Sequence, residues 1–292
     1  MPRSLIAIAG LAILVIGMLI GRMQKRPLLY AGAAAFLQMT LFTLLGVVLS
    51  YGLAARGGAL WDVHFGAADR ALGFDWPLLF VAADRFPLAL WLGGLAYHSL
   101  TLQMIAAIVV LSTTGQVDRL RIAVTAAIAS GFATILISGA MPALGNVVDP
   151  AGYRHLWPSV AWLEQDMLLG LRDGSWRMID LTRLMGIVTF PSYHATLPII
   201  LAWALANTRG WRAVAPVWAG ITILATPLFG GHYAVDVLAG VGLAVLVLWL
   251  APKVARAAPR GALATIVRST MAEPTATYAP RKVQSGADNA LV

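Results

Sequence analysis

Apolar runs separated by short polar joints dominate this chain, and seven of them approach the length that a bilayer demands. They cover approximately residues 4–21, 29–54, 88–112, 120–141, 191–206, 212–229 and 232–251. A helix needs about 20 apolar residues to cross the hydrocarbon core. The pattern therefore predicts an all-α integral membrane protein of about seven transmembrane helices. The fifth run is short and opens at Pro191, a residue suited to a first helical turn because the N–H it lacks has no partner there anyway. The first run is followed by Arg22, Lys25 and Arg26 with no small-residue cleavage pattern before them, so it reads as a retained helix and not as a removed signal peptide. Two longer polar segments remain. The first, 55–87, mixes aromatic and charged residues and is expected to lie as an amphipathic segment at headgroup level; the second, 142–190, carries Trp157, Trp162 and Trp176 as interfacial anchors.

Composition sharpens this picture. Of 292 residues, 59% are hydrophobic and 12% are charged, against roughly 25% charged in soluble domains. The formal charge of +8 does not point to nucleic acid, because the basic residues sit in short joints and in the tail. With the N-terminus outside, the inner segments 22–28, 113–121, 207–212 and the tail from 252 hold thirteen of the twenty-one lysines and arginines. The outer segments hold the other eight together with nine acidic residues, which is the positive-inside pattern. The tail 252–292 is basic near the membrane, then rich in Ala, Ser, Thr and Pro, and is expected to be disordered and cytoplasmic. Cysteine is absent, which excludes disulfides and thiolate chemistry.

Candidate chemistry gathers at the outer mouths of two helices. His232 and Asp236 are four apart at the start of the seventh run, a spacing that puts both on one helical face. A carboxylate there can hold one imidazole nitrogen and leave the other as a nucleophile. His194, in Phe190-Pro191-Ser192-Tyr193-His194-Ala195, opens the fifth run, and two crossings return the chain to the same surface at His232. Helix N-termini point there too, offering unpaired N–H groups to an anion. Two histidines, a carboxylate and two helix N-termini make a sensible phosphate site, in which one imidazole attacks phosphorus and the other protonates the leaving oxygen. The bland alternative is a set of unrelated interfacial histidines.

At these residues the chain resembles the phosphatidic acid phosphatase type 2 superfamily. That family has a Pro-Ser-Gly-His element and a later His-x-x-x-Asp element, each opening a helix of a six-helix core. They stand here as Pro191-Ser192-Tyr193-His194 and His232-Tyr233-Ala234-Val235-Asp236. Tyr193 in place of Gly and the His232-Tyr233 pair look like the inositol phosphorylceramide synthase branch, an inositolphosphotransferase group, and Asp69-Arg70-Ala71-Leu72-Gly73-Phe74-Asp75-Trp76 is similar to its bacterial members. The resemblance implies a six-helix catalytic membrane domain over 29–251, with an N-terminal helix and basic loop at 1–28 and the tail at 252–292 as additions. It implies a lipid phosphate hydrolase or phosphotransferase of a bacterial plasma membrane, acting on a lipid phosphate ester at the extracytoplasmic leaflet without metal or other cofactor. His232 would become the phosphohistidine, Asp236 would orient it, and His194 would be the general acid. Ser192, Tyr193 and Tyr233 would touch substrate.

The chain departs from the family pattern in its cations. A Lys and an Arg-Pro pair are not found before the fifth helix, and Ala225-Thr226 stand where a Ser-Arg pair is expected. A phosphoryl group with developing charge needs cations or equivalent donors. The substitutes taken from the sequence are Arg183, eight residues before Pro191, and then Arg154 or Arg177. Readings from other classes are a transporter, a zinc hydrolase and a non-catalytic lipid-binding protein. A transporter would place its ionisable residues near the midplane, and a zinc hydrolase would want an additional acid/base Glu, which the apolar runs do not supply.

Overall fold

The computed structural model describes residues 2–176 and 186–257 of the chain. The helices among them are α1 (Pro2–Met23), α2 (Pro27–Ala54), α3 (Asp62–Ala71), α4 (Trp76–Asp84), α5 (Pro87–His98), α6 (Leu100–Thr113), α7 (Val117–Ala140), α8 (Val160–Asp173), α9 (Tyr193–Leu205), α10 (Trp211–Gly230) and α11 (Ala234–Ala257). Four of these, α2, α7, α10 and Ala234–Lys253 of α11, are long and apolar enough to cross a membrane, or five if α4 and α5 count as one span bent by 109°. Ala9–Met23, Leu100–Thr113 and Tyr193–Leu205 are shorter apolar helices. The protein is thus an all-helical membrane protein among its described residues.

Local signals explain most helix ends. Pro27 and Pro87 stand at the first helical positions of α2 and α5, where their fixed φ is already helical. Asp75 caps α4 by accepting from Leu78 N at 3.2 Å, and Ser159 caps α8 by accepting from Trp162 N at 3.2 Å. Gly174 and Gly231 close α8 and α10 in the left-handed region, with φ of 76° and 73°, which only glycine adopts without strain. Prolines 198, 216 and 227 lie inside helices, and proline is more frequent in membrane helices than in soluble ones.

The third apolar run proves to be two helices, α5 and α6, interrupted at Ser99 alone. Backbone bonds run through the interruption, from Ser99 N to Leu95 O at 3.0 Å and from Gln103 N to Ser99 O at 2.8 Å. Segment 55–87 does not lie as a single amphipathic stretch. It folds into α3 and α4, and it sends Phe65 and Asp69 into the interior. The main core is built from α2, α6, α7, α9 and α11, with Met39, Phe42, Leu111, Ala126, Ile200, Ala204 and Val247 among its buried side chains. Helix α10 packs on α9 and α5, so the ends of α5, α9, α10 and α11 that carry the candidate chemistry are drawn together.

Candidate functional site

The entrance to α11 is held by a carboxylate from far upstream. Asp69, fully buried in α3, accepts from Ala234 N at 2.7 Å and Val235 N at 2.9 Å, and from Trp76 Nε1 at 2.6 Å. A helix leaves its first N–H groups without intrahelical partners, and here the partner is a negative charge that also complements the helix dipole. Asp69→Ala leaves three donors unpaired, that of Ala234 buried and those of Val235 and Trp76 part-buried, at a cost of up to about 1–3 kcal/mol each. The expected result is a marked fall in the thermal unfolding midpoint of the detergent-solubilised protein, followed by circular dichroism. An unchanged midpoint would refute this account of the helix entrance.

With α11 anchored, its first turn folds back on the residues before it. His232 lies in the turn ahead of the helix, not on the helix as its spacing predicts. It still meets Asp236, with 3.3 Å between Nδ1 and Oδ2, and the same oxygen accepts from Tyr233 N at 2.9 Å. Asp236 is fully buried and His232 is 5% exposed. When Nδ1 carries the proton shared with Asp236, Nε2 keeps a lone pair, the state a nucleophile needs.

Glycines let the ring sit close to backbone. A Cβ on Gly230 would stand 2.7 Å from His232 Cδ2 and 2.9 Å from the Tyr97 hydroxyl oxygen. A Cβ on Gly240 would stand 2.3 Å from the Ser192 carbonyl oxygen, so α9 and α11 approach at a distance that only a glycine allows. Across this contact Ser192 N donates to the Asp236 carbonyl at 2.9 Å, and the Thr196 hydroxyl donates to the Gly240 carbonyl at 2.9 Å. The two sequence elements, 191–194 and 232–236, are thereby tied to one another. His194, the second residue of α9, stacks its ring on Tyr97 at 4.3 Å and 15°.

His194 and His232 share the wall of one cavity of about 450 Å³, a volume within the range of small-molecule sites. Its lining includes the apolar Met39, Phe42, Val47, Met104, Ile135 and Leu197, and the polar His98, Glu164 and Gln165. Glu164, on α8, is 8% exposed, and burial pushes its carboxyl up to about 8. This acid was missed in the sequence because it lies in the outer segment and not in an apolar run. The one available signal was the amphipathic pattern of 160–173, which turns Glu164, Met167, Leu168 and Leu171 inwards.

The other expected contacts divide. The Ser192 hydroxyl is buried without a partner among the described residues, as is Asp236 Oδ1. Tyr193 lines the cavity, but its hydroxyl is committed to the Ala127 carbonyl of α7 at 3.0 Å. Tyr233 turns away: its hydroxyl donates to Asp62 Oδ1 at 3.1 Å and lies 3.3 Å from the Gly145 carbonyl, outside the cavity wall. Arg154 is exposed and also outside the wall, because the Asp84 carboxylate pins its backbone N–H at 2.9 Å along with those of His155 and Leu156. Arg177 and Arg183 lie outside the described residues. Ala225 is buried in an apolar cluster and the Thr226 hydroxyl bonds back to the Thr222 carbonyl at 2.8 Å, so neither faces the site. Gln103 does tie helices together, donating to Thr222 Oγ1 at 3.2 Å.

Comparison with known proteins adds one result at the level of families. A family model described as the PAP2 superfamily matches residues 63–250, from α3 to α11. No curated protein and no solved structure matches the chain.

Proposed function

The chain belongs to the PAP2 superfamily, which supports a phosphatase-type function in general, and from that premise we propose that it is a metal-independent lipid phosphate hydrolase or phosphotransferase working through a phosphohistidine. The observation that carries the reading is that His232, paired from behind with the buried Asp236, lines a cavity that also presents His194. His232 Nε2 attacks phosphorus, the P–O bond to the alcohol breaks, and His194 gives its proton to the departing oxygen. Water or a second alcohol then attacks the phosphohistidine, the N–P bond breaks, and His194 takes the proton back. Asp236 holds the tautomer and balances the positive charge that forms on the ring.

A cavity lined by many apolar side chains suits a substrate whose tail remains in hydrocarbon, which accords with a lipid phosphate in a bilayer. The distribution of lysines and arginines supports seven spans, an extracytoplasmic site and a cytoplasmic C-terminus. Tyr193 and the His232-Tyr233 pair favour the inositol phosphorylceramide synthase-like branch, and hence a transferase within the two alternatives. The domain reading follows: a catalytic bundle over 29–251, preceded by the helix and basic loop of 1–28 and followed by the tail of 252–292. Among the substitute cations, Arg183 is the one whose place in the sequence supports a role, since Gly186, three residues on, lines the cavity.

The test is phosphate release by the purified protein, in chelator, from a panel of lipid phosphates, diphosphates and phosphodiesters. Release by the wild type but not by His232→Ala supports the hydrolase. A new phospholipid formed only when an alcohol acceptor is added supports the transferase. Silence in both assays would sink the proposal.

A further inference from the structure

Among the described residues the cavity wall holds one carboxylic acid, and the phosphohistidine scheme leaves it unused. Glu164 reaches it from α8 and is buried. It is close enough to Tyr97 to interact with it electrostatically, and Tyr97 is the ring on which His194 stacks. The titratable groups on the same wall are Tyr97 and His98 from α5, Tyr193 and His194 from α9, and His232 ahead of α11. Helix α2 brings Tyr51 against the next turn of α8, in a cluster with Met167, Leu168 and Leu171. Among the described residues no lysine or arginine lines the cavity.

Charge decides what Glu164 can do there. A phosphoryl group at His232 carries negative charge into a site already backed by Asp236. An ionised Glu164 would add a further like charge at a buried position with no described cation on the wall to offset it, which is strongly unfavourable. A neutral carboxylic acid has the opposite effect, because it is tolerated by burial and offers an O–H donor to an anion. We propose that Glu164 is a phosphoryl-binding residue, whose protonated carboxyl donates a hydrogen bond to a non-bridging oxygen of the substrate phosphate and of the phosphohistidine. It adds a preorganised neutral donor to a wall on which no described residue supplies a cation. The proton stays on Glu164 throughout, so no bond to it forms or breaks in the cycle. Burial keeps that proton in place through neutral pH, since the group loses it only near 8. The inference rests on the reading of this cavity as a phosphoryl-transfer site.

The experiment follows kcat/KM for a soluble aryl phosphate through a pH series crossing 8, for wild type, Glu164→Ala and Glu164→Gln. Below that pH, Glu164→Ala is expected to lose about 100-fold, the effect of removing one preorganised donor. Glu164→Gln supplies a neutral donor of the same shape and recovers most of that loss. It also holds its activity above the pH at which the wild type declines, because its donor does not ionise. Equal defects in Gln and Ala at every pH would overturn the proposal, by showing that the carboxylate form is the one that acts. Equal activity in all three, with turnover still dependent on His232, would overturn it and leave the reaction standing. Protection by inorganic phosphate against thermal unfolding reads the contact without turnover. Should the wild type show no His232-dependent turnover, protection lost in Ala and kept in Gln would sustain the contact while the reaction fails. Equal protection in all three would remove the contact as well.

Discussion

His232→Ala is expected to lower phosphate release by about 10⁴-fold or more while leaving the protein folded. The chemical part follows from the scheme: with no imidazole at this position no phosphoenzyme forms, and only the binding and donor groups of the cavity remain to assist water. The structural part follows from how little the ring supports. Among the described residues its one side-chain hydrogen bond is the 3.3 Å contact to Asp236, and that oxygen keeps Tyr233 N at 2.9 Å when the ring is gone. The ring borders the cavity, so water can fill the space it leaves, and the stability cost is on the order of 1 kcal/mol. Assay of phosphate release beside a thermal unfolding curve separates the two parts. A variant that melts like the wild type and turns over like it would end the phosphohistidine mechanism. One that does not fold would show that the ring supports more structure than its contacts indicate.

The helices and the pairing of the two histidine elements were legible in the sequence because both are local. An apolar run announces a membrane helix within its own length, and Pro191-Ser192-Tyr193-His194 and His232 to Asp236 each fall within one turn of a helix entrance. What could not be read is what arrives from elsewhere in the chain. Asp69 looks like one charge of an interfacial segment, yet it closes the entrance of α11 across 165 residues. Glu164 looks like a surface acid of an outer loop until α8 turns that face towards His194 and His232. Tyr193 and Tyr233 flank the two histidines in sequence, but one hydroxyl is taken by α7 and the other by Asp62. Spacing along a helix places a side chain on a face. It does not say which partner that face will meet, and for short polar side chains the partner decides the role.

Arg154 makes the same point for the cations. The sequence offers it as a charge near the site. The structure spends its backbone on the Asp84 carboxylate and leaves its side chain exposed. Its N–H and those of His155 and Leu156 together satisfy Asp84 and fix the loop as a structural joint. No described arginine or lysine lines the cavity, so under the proposed chemistry a neutral O–H on Glu164 is a donor that the wall can offer to a phosphoryl oxygen.

Asp236→Asn should cost about 10²–10⁴-fold in kcat with little change in fold, for a reason that lies in the hydrogen-bond inventory. Asp236 Oδ2 accepts from both His232 Nδ1 and Tyr233 N, while Oδ1 is buried without a partner among the described residues. An asparagine can enter this geometry in two ways. With its amide nitrogen in the Oδ2 position, it opposes the Tyr233 N–H donor to donor. It can then bond His232 only if Nδ1 is the acceptor, which moves the ring proton to Nε2 and removes the lone pair that attacks phosphorus. With its oxygen in the Oδ2 position, both hydrogen bonds survive, but the NH2 group occupies the unpartnered place of Oδ1 and the negative charge is gone. The imidazolium-like character that develops as the N–P bond forms then has no counter-charge behind it. The first arrangement abolishes attack and the second slows it, so both lower kcat, whereas the outer cavity that receives substrate is untouched and KM should stay within a few-fold. A pH profile distinguishes them: the first loses activity at every pH, and the second retains a reduced activity with the wild-type shape. An Asp236→Asn variant with wild-type kcat would show that the carboxylate only holds the turn at Tyr233 and takes no part in activating His232.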